Sequence, residues 1–113
     1  MNEHDTINGI IMIVCLSAIY YHWIVYELKA ALSRGLVEVQ AKIDATSALL
    51  QPPGQFYAAE RKLRTAAVFM KEAHQLAAGT TLADIFAARR SVYFAQVNAV
   101  RAEDTYVRLV AQA

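Results

Sequence analysis

The sequence predicts an all-α protein: a single N-terminal transmembrane helix that continues into an extramembrane helix, followed by an antiparallel α-helical hairpin. Three observations lead there. The block from Ile7 to Tyr26 carries no formal charge. Elsewhere apolar residues recur at helical spacing, and no segment reads as a strand. The breaks are few and short, at Pro52-Pro53-Gly54 and around Gly79.

A chain of 113 residues suits one domain plus an anchor. Hydrophobic residues make up 57%, more than a soluble domain usually carries. The net charge of +1 gives no electrostatic case for nucleic acid. Cys15 is the single cysteine and lies inside the apolar block, so no internal disulfide forms and redox compartment cannot be read from it. Residues 27–113 are few for a self-sufficient core, which points to a partner or self-association.

Residues 1–6 form a short polar tail, and 7–26 the membrane segment. About 20 residues rising about 1.5 Å each cross the roughly 30 Å hydrocarbon layer. In lipid the backbone must satisfy its own hydrogen bonds, which requires a helix. Tyr20, Tyr21, Trp23 and Tyr26 crowd one end as an interfacial aromatic belt in contact with membrane lipid. The bland alternative is a buried core helix. The first residues carry no Lys or Arg and no small-x-small cleavage site follows, unlike a signal peptide. Glu3 and Asp5 precede the span, while Lys29, Arg34 and Lys42 follow it. Basic flanks stay cytoplasmic, so the expected product is a single-pass protein of a bacterial inner membrane with a cytoplasmic C-terminal domain.

Residues 27–51 continue as an extramembrane helix whose apolar face carries Leu28, Leu32, Leu36, Val39, Ile43 and Leu50. Lys29, Glu38, Lys42 and Asp44 mostly fall on other faces, and Gly35 is a site for a kink or a close backbone approach. Residues 52–54 end this helix, because a proline turns the residue before it away from helix. The hairpin occupies 55–113, with its turn at 79–81. Its first helix is expected from Gln55 to about Ala78, with Phe56, Leu63, Ala67, Met70 and Ala77 inward and Arg61, Arg64, Lys71 and Glu72 in solvent. Gly79 is expected as the C-terminal breaker. Thr81-Leu82-Ala83-Asp84 has the form of a capping box, and Asp84 places negative charge at a positive helix end. The last helix is expected to about Ala111, with an apolar stripe of Leu82, Ile85, Phe86, Val92, Tyr93, Ala99, Val100, Val107 and Val110. The short turn makes the two helices antiparallel, and abundant alanine lets them pack closely.

The stretch Ala77-Ala78-Gly79-Thr80-Thr81-Leu82-Ala83-Asp84, continued through Ala88-Arg89-Arg90 to Ala95 and Ala99, resembles the hairpin tip of TolC-like outer-membrane efflux proteins. There a glycine closes an alanine-rich helix, a small polar pair and an apolar-x-Asp turn follow, and the returning helix opens with an alanine-rich, Arg- or Gln-containing segment. The resemblance spans about residues 55–113. It implies that the tip, with Gly79, Thr81, Asp84, Arg89 and Arg90 as partner-binding residues, docks a membrane-fusion adaptor. This chain is much shorter than that family and lacks its barrel strands, its membrane segment is foreign to the family, and the predicted topology puts the tip on the other side of the membrane.

His22 is the sharpest chemical candidate, since a histidine in a transmembrane helix is able to ligate a haem or chlorophyll-type metal. Ala18 and His22 have a spacing similar to that in bacterial light-harvesting polypeptides. The competing reading is an interfacial histidine among tyrosines. His74 lacks a second ligand one turn away, so no metal site is expected there, and Cys15 has no neighbouring base. Arg89, Arg90, Arg101 and Arg108, interrupted by Glu103 and Asp104, read as a solvated face or as a contact for acidic lipid or an acidic partner. No phosphate loop, dinucleotide, zinc or nucleophile motif occurs. The expected role is therefore a non-enzymatic accessory, scaffold or assembly subunit of a membrane complex, binding other subunits or itself and needing no cofactor. The alternatives are a reduced TolC-like export component and a cofactor-binding subunit using His22.

Overall fold

The computed structural model describes residues 3–112. It is built of three helices, α1 (Glu3–Leu49), α2 (Tyr57–Ala77) and α3 (Leu82–Gln112), with no strand among the described residues. The molecule is a rod of 82 × 22 × 15 Å. Its length comes from α1, whose 47 residues rise about 70 Å in all.

α1 begins at Glu3, within the stretch expected to be a polar tail. Glu3 and Asp5 occupy its first turn, where carboxylates complement the positive end of the helix dipole. From Glu3 to Trp23 every residue is exposed, and half-burial starts at Ile24 and Val25. Beyond that point Leu32, Val39, Ile43 and Thr46 are buried. The helix runs unbroken through Gly35. A methyl group there would lie 3.5 Å from Val92 Cγ1, an ordinary contact, so neither a kink nor a forced close approach explains this glycine.

Pro52 and Pro53 end α1, and Gly54 turns the chain with φ +91°, a conformation that costs glycine nothing for want of a Cβ. The Gly54 N–H donates to Glu60 Oε1 at 2.8 Å, tying this turn to the start of α2. α2 starts two residues later than Gln55. Its N-cap residue Phe56 makes no side-chain cap. The Phe56 ring instead meets Tyr106 edge-on at 5.0 Å.

The buried residues of α2 are Ala59, Leu63, Ala66, Met70 and Ala73. Those of α3 include Ile85, Ala88, Val92, Ala95, Ala99 and Ala102. Both sets step by three and four residues, the spacing of a coiled-coil seam, and alanine at every second position or more keeps the two backbones close. Phe56 faces Tyr106, Lys62 bonds Thr105 and Phe69 faces Phe94, so the paired positions run in opposite senses along α2 and α3. α1 leans mainly on α3, with Gly35 beside Val92 and Lys42 paired with Glu103, and these two pairs run in the same sense. The buried hydroxyls of Thr46 and Thr105 bond to the carbonyls of Lys42 (2.9 Å) and Arg101 (2.8 Å). No buried side-chain nitrogen or oxygen among the described residues lacks a partner.

Two expectations about faces change. Ala67, placed on the packed side of α2, is exposed. On α3 only part of the expected stripe is buried: Ile85, Val92 and Ala99 are in the core, while Phe86, Tyr93, Val100, Val107 and Val110 are exposed. One position along a helix turns a side chain by about 100°. The alanine seam selects residues at strict three-four spacing, and the larger residues one step away are turned outward.

Candidate functional site

The two segments with candidate functional residues lie at one level of the rod. The first is the aromatic cluster of α1. Tyr20, Tyr21, Trp23 and Tyr26 are exposed and, stepping about 100° each, point to several sides of the helix. Tyr20 stacks on Trp23 with centroids 6.1 Å apart. His22 lies among them, exposed, its ring edge-on to Tyr21 at 5.9 Å. No group of three or more His, Cys, Asp and Glu residues able to hold a metal is found among the described residues.

The second segment is the connection between α2 and α3, which holds Gly79, Thr81 and Asp84 together. The Asp84 N–H donates to Thr81 Oγ1 at 3.1 Å, so Thr81 caps α3 as expected. Gly79 plays a different part from the one expected. Ala78 at the C-cap is right-handed helical, and the only positive-φ glycine among the described residues is Gly54. Gly79 is needed for space: a Cβ on it would stand 2.6 Å from Asp84 Cβ and closer still to the carboxylate. Asp84 therefore folds over Gly79, and its carboxylate accepts no hydrogen bond from the Thr81 N–H that would close a reciprocal capping box. Arg89 and Arg90 project from α3 beyond the turn, both exposed. α3 runs beside α1 in the register that sets Gly35 next to Val92 and Lys42 next to Glu103. Stepping back along both helices from there brings Leu82 to the level of Val25, where burial on α1 starts, so the α2–α3 connection ends level with the aromatic cluster.

Two surfaces were not set apart by the reading of the sequence, which named the residues of the first within one undivided stripe. One is the exposed apolar row on α3. Phe86, Tyr93, Val100 and Val107 follow at seven-residue intervals with exposures of 53%, 61%, 41% and 56%. A shallow depression of about 360 Å³ runs between Tyr93, Val97 and Val100. The signal was present as a second period-seven series displaced by one from the alanine seam. The other surface is an open groove of about 710 Å³ between the end of α1 and the start of α2, floored by Ile43, Leu50 and Leu63 and rimmed by Asp44, Glu60 and Arg64. Ser47 and Tyr57 line it as well.

One helix among the described residues, α1, is long and apolar enough to cross a membrane by length and composition. No protein-family model, characterised protein or solved structure matches the chain. The functional reading therefore rests on these residues and surfaces.

Proposed function

We propose that this chain is a non-enzymatic single-pass membrane protein that acts as an accessory or scaffold subunit, docking other subunits through a hairpin formed by α2 and α3. The observation that carries the reading is the row Tyr93, Val100 and Val107, apolar, exposed and repeating every seven residues. That is the spacing with which one helix meets another, and a sizeable apolar face left in water favours a partner. The membrane span is the exposed apolar part of α1, with its aromatic cluster at the water boundary. Lys29, Arg34 and Lys42 after the span favour a cytoplasmic hairpin. Native mass spectrometry of the untagged protein, gently extracted from its own membranes, tests the role. Defined additional subunits are expected; a monomer free of partners refutes it. Val100→Glu with Val107→Glu should strip those subunits while leaving the circular dichroism unchanged, because neither side chain is in the core.

The alternative export role needs the tip at Gly79, Thr81, Asp84, Arg89 and Arg90 to meet an adaptor. Export that survives Asp84→Ala with Arg89→Ala counts against it. An optical spectrum of the purified protein decides the His22 cofactor role, which demands a haem or pigment band.

A further inference from the structure

The turn between α2 and α3 is the end of the rod's helical bundle that lies nearest the aromatic cluster. Burial on α1 begins at Ile24, between Trp23 and Tyr26, and the α1–α3 register set by Gly35 beside Val92 and Lys42 beside Glu103, followed back along both helices, brings Leu82 to that level. If Tyr20 to Tyr26 mark the water boundary of a bilayer, this turn lies within the headgroup layer, which adds some 5–7 Å to each side of the hydrocarbon. α3 rises away from that boundary, and helical side chains lean toward the N-terminus of their helix. Phe86, Arg89 and Arg90, which are one to two turns into α3 and exposed, therefore lean down toward the lipid. Of the acidic groups at this end, Asp84 is folded in over Gly79, while Glu27 and Glu72 are exposed on α1 and α2 and are not on α3 with Arg89 and Arg90.

We infer that the α2–α3 turn is a membrane-surface contact: Phe86 embeds in the headgroup layer, and Arg89 and Arg90 bind the phosphates of anionic phospholipid. The aromatic cluster and the turn then form one continuous interfacial band, which holds the hairpin at a fixed height and leaves the upper apolar row of α3 (Tyr93, Val100, Val107) free for a partner. The inference rests on the membrane reading of α1 and goes beyond it by assigning the lipid-facing residues of the hairpin. Guanidinium suits this role because it pairs with phosphate in a bidentate fork, and the cytoplasmic leaflet is the anionic one.

The experiment is spin-label depth measurement on the full chain in vesicles of zwitterionic lipid alone and of zwitterionic lipid with one quarter phosphatidylglycerol. Labels are placed singly on native Cys15 and, in a Cys15→Ser background, at Phe86→Cys, Thr80→Cys and Val100→Cys. Cys15 should be reached by oxygen and shielded from a water-soluble nickel chelate. Positions 80 and 86 should show intermediate, headgroup-level depth in the anionic vesicles, while position 100, about 21 Å farther along α3 than position 86, stays in water. Arg89→Gln and Arg90→Gln should each lower the ratio of docked to free turn about fivefold in anionic vesicles and leave it unchanged in zwitterionic ones. If positions 80 and 86 are as open to water as position 100 while Cys15 is immersed, the surface contact is wrong and the membrane helix stands. If Cys15 itself is open to water, the membrane reading falls and this inference with it.

Discussion

Gly79 shows how a residue can be noticed for one reason and required for another. Its position after an alanine-rich helix suggests a left-handed cap, yet the backbone there stays right-handed up to Ala78 and the glycine makes room for Asp84. Gly79→Ala would push a methyl into Asp84 Cβ, which a side-chain rotation cannot relieve. A loss of about 1–3 kcal/mol, as for an overpacked core site, is expected. Gly35 is the opposite case: alanine would fit at 3.5 Å from Val92 and would remove the helix penalty of glycine. Gly35→Ala should be neutral or stabilise by up to about 1 kcal/mol. Thermal melting of the detergent-solubilised variants by circular dichroism separates the two. A Gly79→Ala variant as stable as the parent would contradict the first account, and a clear loss for Gly35→Ala the second. The Lys42–Glu103 pair, with each side chain 38% exposed, belongs to the weak class of surface ion pairs. Its removal should cost no more than about 1 kcal/mol.

At the scale of the element, α3 has two faces with two tasks. Ile85 is fully buried, and Ala88, Ala95, Ala99 and Ala102, farther along the same face, set the distance of α3 to its neighbours. Ile85→Ala should cost about 2–5 kcal/mol. Ala95→Leu, which adds volume where none is free, should destabilise as well, whereas Val107→Leu on the exposed face should leave the melting temperature unchanged. Denaturation of the three variants under one set of conditions shows the contrast. A sizeable effect from Val107→Leu in the isolated chain would mean that the exposed row is part of the core. The helix cap contributes at the other end: Thr81→Ala removes the acceptor for the Asp84 N–H and should cost about 1 kcal/mol.

At the scale of the whole molecule, the rod divides by what surrounds it. Below Ile24 every described residue of α1 is exposed, its apolar side chains included. Above Ile24 one face of α1 is covered by the α2–α3 pair. In aqueous buffer the first part drives association without regard to the fold of the second, so the full chain should need detergent or lipid to stay dispersed. Sedimentation in detergent-free buffer checks this, with a soluble monomer as the contrary result. The position at which burial starts sets the height of the bundle above the apolar segment, and it brings Gly79, Thr81 and Asp84 level with Tyr20, Trp23 and Tyr26.

The sequence by itself determined the helices, because helix formation is written in local signals: the uncharged run after Ile7, the prolines at 52 and 53, and the hydroxyl of Thr81 ahead of Asp84. It determined their order and the place of the breaks between them, while α2 starts two residues later than expected and α1 takes in Glu3 to Thr6, because carboxylates in a first turn favour helix as readily as they favour solvent. What only the tertiary structure decided is which apolar residues meet. Ile85 and Phe86, or Val92 and Tyr93, are adjacent and equally apolar, and periodicity alone permits either as the buried member. The alanines settle it, since Ala88, Ala95, Ala99 and Ala102 bring the backbones close only in the register that buries Ile85 and Val92, and that register leaves Phe86, Tyr93, Val100 and Val107 outside. The candidate site inherits the same limit: its residues can be picked out along the chain, but a turn at residues 79–81 comes level with an aromatic cluster at 20–26 only through the packing of α3 on α1, a contact between segments about 60 residues apart that no local pattern encodes.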